Sequence, residues 1–490
     1  MAAIITENFR QHNAEQFHES FSEASPSKYY LFIGKATPFT SGTSGGSDTS
    51  PPTPADKVTN DYYYWDAMTG ANAIASSDVS FTITRRNWAN ATTFDMYEHD
   101  ISASNTTTSG ATNLYDSTFY FVTSEYRIYK VLDNNGGTAY SGVEPTSTSA
   151  TPFFLGGYYL QYMYSLTASE IDKFLTTDFL HVSTDSTVSA AAVDGSVDVV
   201  RVTGGSGYTD GTYYSPIDGD GSSGIVKIVV TGGSIASFGA GGTATEVFAA
   251  GSGYTFGTVD LTDVYSDSGL SSSANIGSGT SGVVDPVISP PGGHGKDAVR
   301  ELGGHYVMMN IKLEQAEGDD ITTENEFRHL GIVKDPFNFG TTTVASGTTA
   351  RQTYAVKLAS APSAAYDADE KITQTTTGAV GRVVEFDATN NIIYYTQERY
   401  ANYGIDSNGN QTAFSGANVI TGADSGVTGT PSATASESVT LAGGSSITFS
   451  SGYANPELEP DSGKILYVEN RRPISRASDQ TEDIKVIVEF

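Results

Sequence analysis

The side chains best suited to acid–base or metal chemistry are seven histidines and 56 acidic residues. None of the histidines has the His-Glu-x-x-His spacing that places two imidazoles on one face of a helix to bind zinc. His294 and His305 flank a short glycine-containing segment, but a closed zinc site needs four ligands, and the sequence offers no further ligands beside them. We therefore predict no metal centre and ordinary packing or hydrogen-bonding roles for these histidines.

Close pairs of carboxylates are the second candidate chemistry. Asp319 with Asp320, and Glu324 with Glu326, are the pairs a glycosidase would require in principle. That mechanism needs two carboxyl groups about 5–9 Å apart, a separation that adjacency in sequence does not set. Such pairs are expected by chance in a chain this acidic, so we predict no catalytic residues.

Three short motif matches lack their structural context. Residues 42–46 match the Gly-x-Ser-x-Gly elbow, but Pro51, Pro52 and Pro54 prevent the helix that must follow it. Residues 218–222 and 406–410 resemble half of a calcium loop without its final bidentate glutamate, so we interpret them as turns. We predict that the chain is not an enzyme and has no cofactor.

The charge balance restricts the partners. The formal net charge is −30 at pH 7, and a field of this sign repels phosphate backbones, so we expect no nucleic-acid partner. No apolar run approaches the roughly 20 residues of a membrane span, and the first residues lack a basic segment, so we expect no membrane partner and synthesis inside a cell. The absence of cysteine fits a reducing compartment.

Abundant tyrosine (29) and phenylalanine (23), together with many threonines, favour strands over helices. We predict a mainly β fold, a multi-domain β-sandwich with short helices and two Gly-rich β insertions. The predicted segments are an N-terminal sandwich region with a helix (1–194), a Gly-rich inserted module (195–284), a return to the core (285–344), a second Gly/Thr-rich β region (345–460) and closing strands (461–490).

Several elements are predicted from local pattern. Residues 6–21 form a helix on which Ile5, Phe9, Phe17 and Phe21 gather for core packing. Thr167 and Glu170 match a capping box that begins a second helix. Strands are expected at residues 29–34, 79–84, 120–132, 158–166, 224–233, 378–386, 391–397, 464–470 and 483–490.

The inserted module contains a repeat. Gly-Ser-Gly-Tyr-Thr-Asp-Gly-Thr at residues 205–212 recurs as Gly-Ser-Gly-Tyr-Thr-Phe-Gly-Thr at residues 251–258. We interpret the copies as two similar β-hairpin units with glycines at positive φ and the tyrosine packed over the turn. Tyr208 and Tyr254 are also candidates for contact with a protein partner or a glycan.

The C-terminal region carries a family resemblance. Residues 463–474 (Gly-Lys-Ile-Leu-Tyr-Val-Glu-Asn-Arg-Arg-Pro-Ile) form a strand and a turn, and Asp-Gln-Thr-Glu at residues 479–482 leads into a last strand. This pattern resembles the gene-product-eight baseplate wedge subunits of T-even-like contractile-tailed bacteriophages. The matching residues, which we call the C-terminal signature, are Glu469, Asn470, Arg471, Pro473, Asp479, Gln480, Thr481 and Glu482.

The N-terminal half adds to this resemblance. Arg85, Arg86 and Trp88 are similar to the family's Arg-Arg-Asp-Trp segment, with Asn87 in place of the acid, and Glu144 and Pro145 match a Glu-Pro turn. The resemblance implies a structural, non-enzymatic β-sandwich subunit of the virion tail baseplate that is made and assembled in the host cytoplasm. It also implies a homodimer that links neighbouring wedge proteins and takes part in baseplate rearrangement when the phage attaches to its host.

Two features leave alternatives open. The Gly-rich modules have no counterpart in the resemblance, and a carbohydrate-binding tail adhesin or decoration protein that uses them is the alternative function. The aromatic runs at residues 61–65 and 158–162 suit either a permanent interface or the protein's own core, because buried strands have the same pattern.

Overall fold

The computed structural model describes residues 4–40, 45–237, 244–314, 321–477 and 479–490. The predicted fold class is confirmed, because strands make up 38% of the structure and helices 9%. In this part of the chain there are five α-helices: α1 (Glu7–Glu19), α2 (Asn60–Ala67), α3 (Ala168–Phe174), α4 (Ser186–Ala191) and α5 (Ala298–Glu301). Two short 3₁₀ turns cover Ser76–Asp78 and Leu114–Asp116.

The strands are numbered in chain order. In the described residues they are β1 (Tyr29–Gly34), β2 (Met68–Ala73), β3 (Val79–Thr84), β4 (Tyr120–Val122), β5 (Arg127–Asp133), β6 (Phe153–Leu155), β7 (Tyr158–Ser165), β8 (Phe179–His181), β9 (Val197–Thr203), β10 (Gly211–Pro216), β11 (Asp218–Gly219), β12 (Ile225–Thr231), β13 (Ser234–Ile235), β14 (Glu246–Ala249), β15 (Gly257–Thr258), β16 (Val283–Ile288), β17 (Tyr306–Leu313), β18 (Asn325–Lys334), β19 (Thr349–Arg351), β20 (Tyr354–Lys357), β21 (Lys371–Gln374), β22 (Ala379–Asp387), β23 (Ile392–Thr396), β24 (Ile420–Gly422), β25 (Thr428–Gly429), β26 (Glu437–Thr440), β27 (Ser446–Phe449), β28 (Tyr453–Ala454), β29 (Lys464–Arg476) and β30 (Glu482–Glu489).

The chain divides into two compact units. The first comprises Met1–Gln16, Ser80–Met308 and Ile487–Phe490, and the second comprises Phe17–Val79 and Met309–Val486. Both units are therefore discontinuous in sequence.

The first unit contains an antiparallel sheet of order β4-β5-β7-β6. The single strand expected at residues 120–132 is instead a hairpin, because residues 123–126 form a turn in which Tyr126 has a φ of 56°. The buried face of this sheet is aromatic: Phe121, Tyr129 and Tyr158 are fully covered. The run at residues 158–162 therefore belongs largely to the protein's own core.

The capping box at the start of α3 is confirmed. The hydroxyl of Thr167 accepts a hydrogen bond from the backbone N–H of Glu170, and the Glu170 carboxylate accepts one from the backbone N–H of Thr167 at 2.7 Å. Reciprocal bonds of this kind satisfy two N–H groups that the first helical turn leaves free.

The second unit is built on two antiparallel sheets, of order β19-β2-β1-β18-β29 and β25-β24-β21-β22-β23-β20-β28. The expected pairing of residues 378–386 with 391–397 is confirmed by β22 and β23. The helix α2 packs directly on the first sheet: a side chain at Gly34 of β1 would lie 2.5 Å from the carbonyl oxygen of Ala67. Glycine is the residue that permits so close an approach.

The N-terminal helix is confirmed, but its expected apolar stripe is partly wrong. Ile5 is 67% exposed and Phe9 is 54% exposed, whereas Gln11 and Ala14 are the buried residues of α1. Ile5 precedes α1, and Phe9 lies five residues before Ala14, which places it on another face of a helix with 3.6 residues per turn.

Within the described ranges, no helix has both the length and the apolarity required to cross a membrane.

Candidate functional site

Arg85 and Arg86 follow β3 in the first unit and bind neighbouring backbone. Arg85 Nη1 donates to the carbonyl of Thr176 at 2.9 Å. Arg86 donates to the carbonyls of Tyr115 (2.9 Å) and Ser117, and its guanidinium lies over the ring of Tyr120 at 5.0 Å. Arg85 therefore fixes the loop before β8 and Arg86 fixes the loop before β4.

Trp88 and Glu144 have similar structural roles. The ring of Trp88 meets that of Tyr140 edge-on, with 5.7 Å between the centroids. The Glu144 carboxylate accepts hydrogen bonds from the backbone N–H (2.6 Å) and the hydroxyl (2.5 Å) of Ser124, and Pro145 beside it is buried. These residues hold the turn between β4 and β5 against the loop at residues 140–145.

The expected turn at residues 469–474 is wrong, because these residues belong to the continuous strand β29, which has a bulge at residues 471–473. Phe327 of β18 pairs with Ile474 and His329 pairs with Asn470, so three residues of β29 face one residue of β18. Pro473 lies in this bulge, where its missing N–H costs no ladder bond. Arg471 is exposed and pairs with Glu469 at 2.9 Å.

Residues 477 and 479–481 lie between β29 and β30. Asp479 and Thr481 are exposed, and Gln480 Oε1 accepts a hydrogen bond from the backbone N–H of Ala477 at 3.2 Å. Glu482 receives a hydrogen bond from Nη1 of the buried Arg476 at 2.8 Å, and burial raises the pKa of the Glu482 carboxyl. The signature thus contains one buried ion pair and one exposed pair.

Tyr208 and Tyr254 do not present their rings to solvent, being 9% and 3% exposed. Each hydroxyl accepts a backbone N–H at 3.0 Å, Tyr208 from Gly282 and Tyr254 from Gly224. A ring buried in this way cannot stack on a glycan, so the structure gives no support to that role. The tyrosines instead belong to one shared core cluster of the inserted module.

The two repeat copies are not independent hairpins, which corrects that interpretation. Tyr208 covers Gly279 and Gly282, a loop that follows the second copy, and Tyr254 covers Gly221 and Gly224, a loop that follows the first. The expected positive φ is confirmed at Gly205, Gly207, Gly251 and Gly253. The tyrosine of each copy therefore packs against the loop that follows the other copy.

A cavity of about 370 Å³ lies in the second unit beside α2. Its lining residues are Lys35, Pro52, Thr53, Pro54, Ala55, Lys57, Thr59, Asn60, Tyr63, Tyr64, His329, Glu398, Tyr400 and Asn470. The aromatic run at residues 61–65 forms a helix and not a strand, which places Tyr63 and Tyr64 on the cavity and buries Trp65. Of the signature residues, Asn470 lines it.

The two buried charged groups that line this cavity, Lys35 and Glu398, are paired, whereas the third, Lys57, is exposed. Lys35 Nζ donates to Glu398 Oε2 at 2.9 Å and to the hydroxyl of Thr37 at 2.6 Å, and Lys35 and Glu398 are both buried. His329 is also buried. Its burial, with a smaller contribution from the nearby charge of Lys35, lowers the pKa of the imidazole to about 3. At neutral pH the cavity therefore contains a neutral imidazole next to a compensated ion pair.

A second buried cluster in the first unit was not predicted. Lys130 Nζ lies 2.8 Å from both Glu301 Oε2 and His294 Nδ1, and it sits 4.1 Å above the ring of Tyr97. Burial lowers the pKa of Lys130 and of His294. The sequence carries no signal for this cluster because its members are far apart in the chain.

The other motif residues have local roles. Asp406 accepts hydrogen bonds from the backbone of Asn408 and Asn410, as turn residues do, whereas Asp220 accepts them from Thr255, which is 35 residues away in sequence. His305 pairs with Glu7 at 2.5 Å. No cluster of three or more potential metal ligands occurs among the described residues. Asp319, Asp320 and most of the motif at residues 42–46 lie outside them.

The fold and these contacts define a mainly β protein in which the signature side chains hold loops and strand ends. Residues 3–148 match a family model described as "Phage-Gp8: Bacteriophage T4, Gp8". The expected resemblance to the gene-product-eight baseplate wedge family is thereby confirmed over that segment. The match supports a structural role in a phage baseplate, and so a place in the virion tail. No curated protein matches the chain.

Proposed function

We propose that the chain is a structural subunit of a contractile-tail baseplate wedge, which links neighbouring wedge proteins and takes part in the rearrangement that accompanies host attachment. The observation that carries this proposal is the family match over residues 3–148. The matched segment includes Arg85, Arg86, Trp88 and Glu144, whose side chains stabilise loops and do not converge on a reaction centre.

An uncovered apolar surface within the matched segment supports a partner contact. Ile4 and Ile5, which precede α1, and Phe9 within it expose 85%, 67% and 54% of their surface. Burying an exposed Ile or Phe side chain is worth about 1.5–3 kcal/mol, so this surface favours association. Because all three side chains are apolar, we propose that they contact an apolar surface of a neighbouring wedge protein.

The edge of the first sheet in the second unit is less suited to such a contact. β29 is an outer strand of that sheet, but it carries a bulge, Pro473 and the exposed charges of Arg471 and Arg472. These features are the ones that discourage strand-to-strand addition at a sheet edge. We therefore propose that the homodimer and the wedge contacts form through side-chain surfaces and not through β29.

Co-assembly tests the proposed function. The wild-type chain, an Ile5→Ser, Phe9→Ser double variant and a Phe256→Ser control are each coexpressed with the other wedge proteins of the same phage. Phe256 is 59% exposed but lies outside the matched segment. We expect wild type and control to copurify with a wedge protein and the double variant to lose that partner while unfolding at the wild-type temperature. A wild-type chain that copurifies with none of them contradicts the proposal.

A further inference from the structure

The cavity beside α2 has the size of a small-molecule site. Its volume of about 370 Å³ falls within the roughly 300–1,000 Å³ of ligand pockets. The strands β18 and β29 contribute His329 and Asn470 to it, α2 contributes Tyr63 and Tyr64, and the chain after β23 contributes Glu398 and Tyr400. These residues all belong to the second unit, so a single compact unit builds the whole site.

Two polar side chains in this cavity have unused hydrogen-bonding capacity. Both ring nitrogens of His329, a residue that is 95% buried, are without a partner among the described residues. Asn470 Nδ2 donates to the carbonyl of Pro52 at 2.8 Å, but its buried Oδ1 is likewise without a partner there. A buried polar group left unsatisfied costs about 1–3 kcal/mol, so such groups call for an explanation.

The electrostatics favour a neutral ligand. Lys35 and Glu398 compensate each other at 2.9 Å, and Thr37 completes their hydrogen bonds. The remaining charged lining residue, Lys57, is exposed, so a charge buried beside His329 and Asn470 would have no buried counter-charge and would carry the cost of desolvation. A neutral imidazole offers one N–H donor and one nitrogen acceptor, and Asn470 Oδ1 adds an acceptor. A ligand that both donates and accepts hydrogen bonds matches this set.

The aromatic walls suit a ring with apolar C–H faces. Tyr64 meets His329 edge-on at 5.6 Å, and Tyr63 stacks on Tyr400 at 4.9 Å between centroids. Tyrosine combines an apolar ring with a polar hydroxyl group. A sugar ring likewise combines apolar C–H faces with hydroxyl groups, so the two surfaces match.

We propose that this cavity binds a neutral, hydroxyl-rich ligand of about the size of a sugar ring, hydrogen-bonded by His329 and Asn470. The inference does not depend on the proposed baseplate role, because the residues proposed for assembly, Ile4, Ile5 and Phe9, do not line the cavity. An extended peptide is less favoured, because the site is a cavity of limited size and its polar groups are side chains and not a free strand edge.

Binding to the full-length chain tests this inference. The probes are glucose, galactose, mannose and N-acetylglucosamine, with glucuronate as the charged comparator and N-acetylalanine methylamide as the peptide comparator. We expect saturable binding of at least one neutral sugar by calorimetry and saturation-transfer NMR. His329→Leu weakens that binding at least about tenfold, whereas His12→Leu, which replaces an exposed histidine of α1, leaves it unchanged.

Two readouts separate binding from folding. We expect His329→Leu to unfold at the wild-type temperature or above, because it removes two unsatisfied polar atoms. In the wild-type chain, the ¹⁵N signals of the His329 imidazole shift when the sugar is added, a measurement that requires no variant. The proposal is overturned if no neutral sugar binds at millimolar concentration, if His329 signals do not respond, or if glucuronate or the peptide probe binds more tightly than every neutral sugar.

Discussion

His329 and Asn470 face each other in register across the β18–β29 pair, and both line the cavity beside α2. One residue comes from an inner strand of the sheet and the other from the C-terminal signature. The Asn470 amide nitrogen holds the loop at Pro52, and its buried oxygen has no hydrogen-bond partner among the described residues. A residue of the C-terminal signature thus lines the cavity as well as forming part of strand β29.

Two signature glutamates should differ in their contribution to stability. Glu482 pairs with the buried Arg476, whereas Glu469 pairs with the exposed Arg471. Removing one partner of a buried pair costs about 3–5 kcal/mol, and an exposed pair contributes about 0–1 kcal/mol. We expect Glu482→Leu to lower the free energy of unfolding by several kcal/mol in urea titrations, with Glu469→Leu as the control. Equal losses in both variants are the contrary result.

The interlocked repeats predict a matched pair of glycine variants. A Cβ at Gly221 would lie 2.4 Å from the ring of Tyr254, and one at Gly279 would lie 2.4 Å from the ring of Tyr208. Overpacking of this kind costs about 1–3 kcal/mol.

We expect Gly221→Ala and Gly279→Ala to lower the thermal midpoint by similar amounts, because the two environments are alike. Gly269→Ala is the control, since the nearest atom to its new methyl is the tip of the Asp267 side chain. A loss in one of the two variants alone would show that the copies are not equivalent.

The stability of the chain should fall between pH 4 and pH 7 through Asp66. Burial raises the pKa of Asp66 to about 7, although Arg399 acts in the opposite direction from 3.2 Å. Between the unfolded pKa near 3.8 and the folded pKa, the folded state binds the proton more tightly, so its stabilisation is complete at low pH and is lost as pH rises.

At about 1.4 kcal/mol for each pKa unit, this carboxyl accounts for at most about 4 kcal/mol. Asp66→Asn keeps the oxygen that accepts the backbone N–H of Arg399 and removes the proton equilibrium. We expect urea unfolding of the variant to have a flatter pH dependence over this interval. A pH profile identical to that of wild type would be inconsistent with a raised pKa.

The ion pair of Lys35 and Glu398 should be strongly coupled. Both side chains are almost fully buried, and their nearest atoms are 2.9 Å apart. We expect Lys35→Met and Glu398→Leu each to destabilise the chain by about 3–5 kcal/mol, and the double variant to lose less than the sum, because neither charge is then left alone. Additive losses in a double-mutant cycle would refute the coupling.

Local patterns predicted the fold well where the decisive contacts are local. The capping box of Thr167 and Glu170 is contained within four residues, and β22 and β23 are joined by a short turn, so the sequence carries all the information needed. The turn before β5 was missed because Tyr126 adopts a positive φ that glycine or asparagine usually occupies. The helix α2 was missed because its aromatic run has the composition of a strand.

The candidate sites depend on contacts distant in sequence. The Gly-Ser-Gly-Tyr repeat was visible, but the loops that its tyrosines cover follow the opposite copies and carry no pairing signal. The cavity combines Lys35, His329, Glu398 and Asn470, which come from four separate segments. No spacing rule connects such residues, because only the folded sheets bring them together.

The most direct test of the central claim is an electron cryomicroscopy map of the virion that carries this chain. The account predicts density for the chain in the tail baseplate, in the symmetric copies of a wedge component, with Ile5 and Phe9 covered by a neighbouring wedge protein. A baseplate that contains no density for this chain, or a particle lacking the chain whose tail still assembles and contracts, would contradict it.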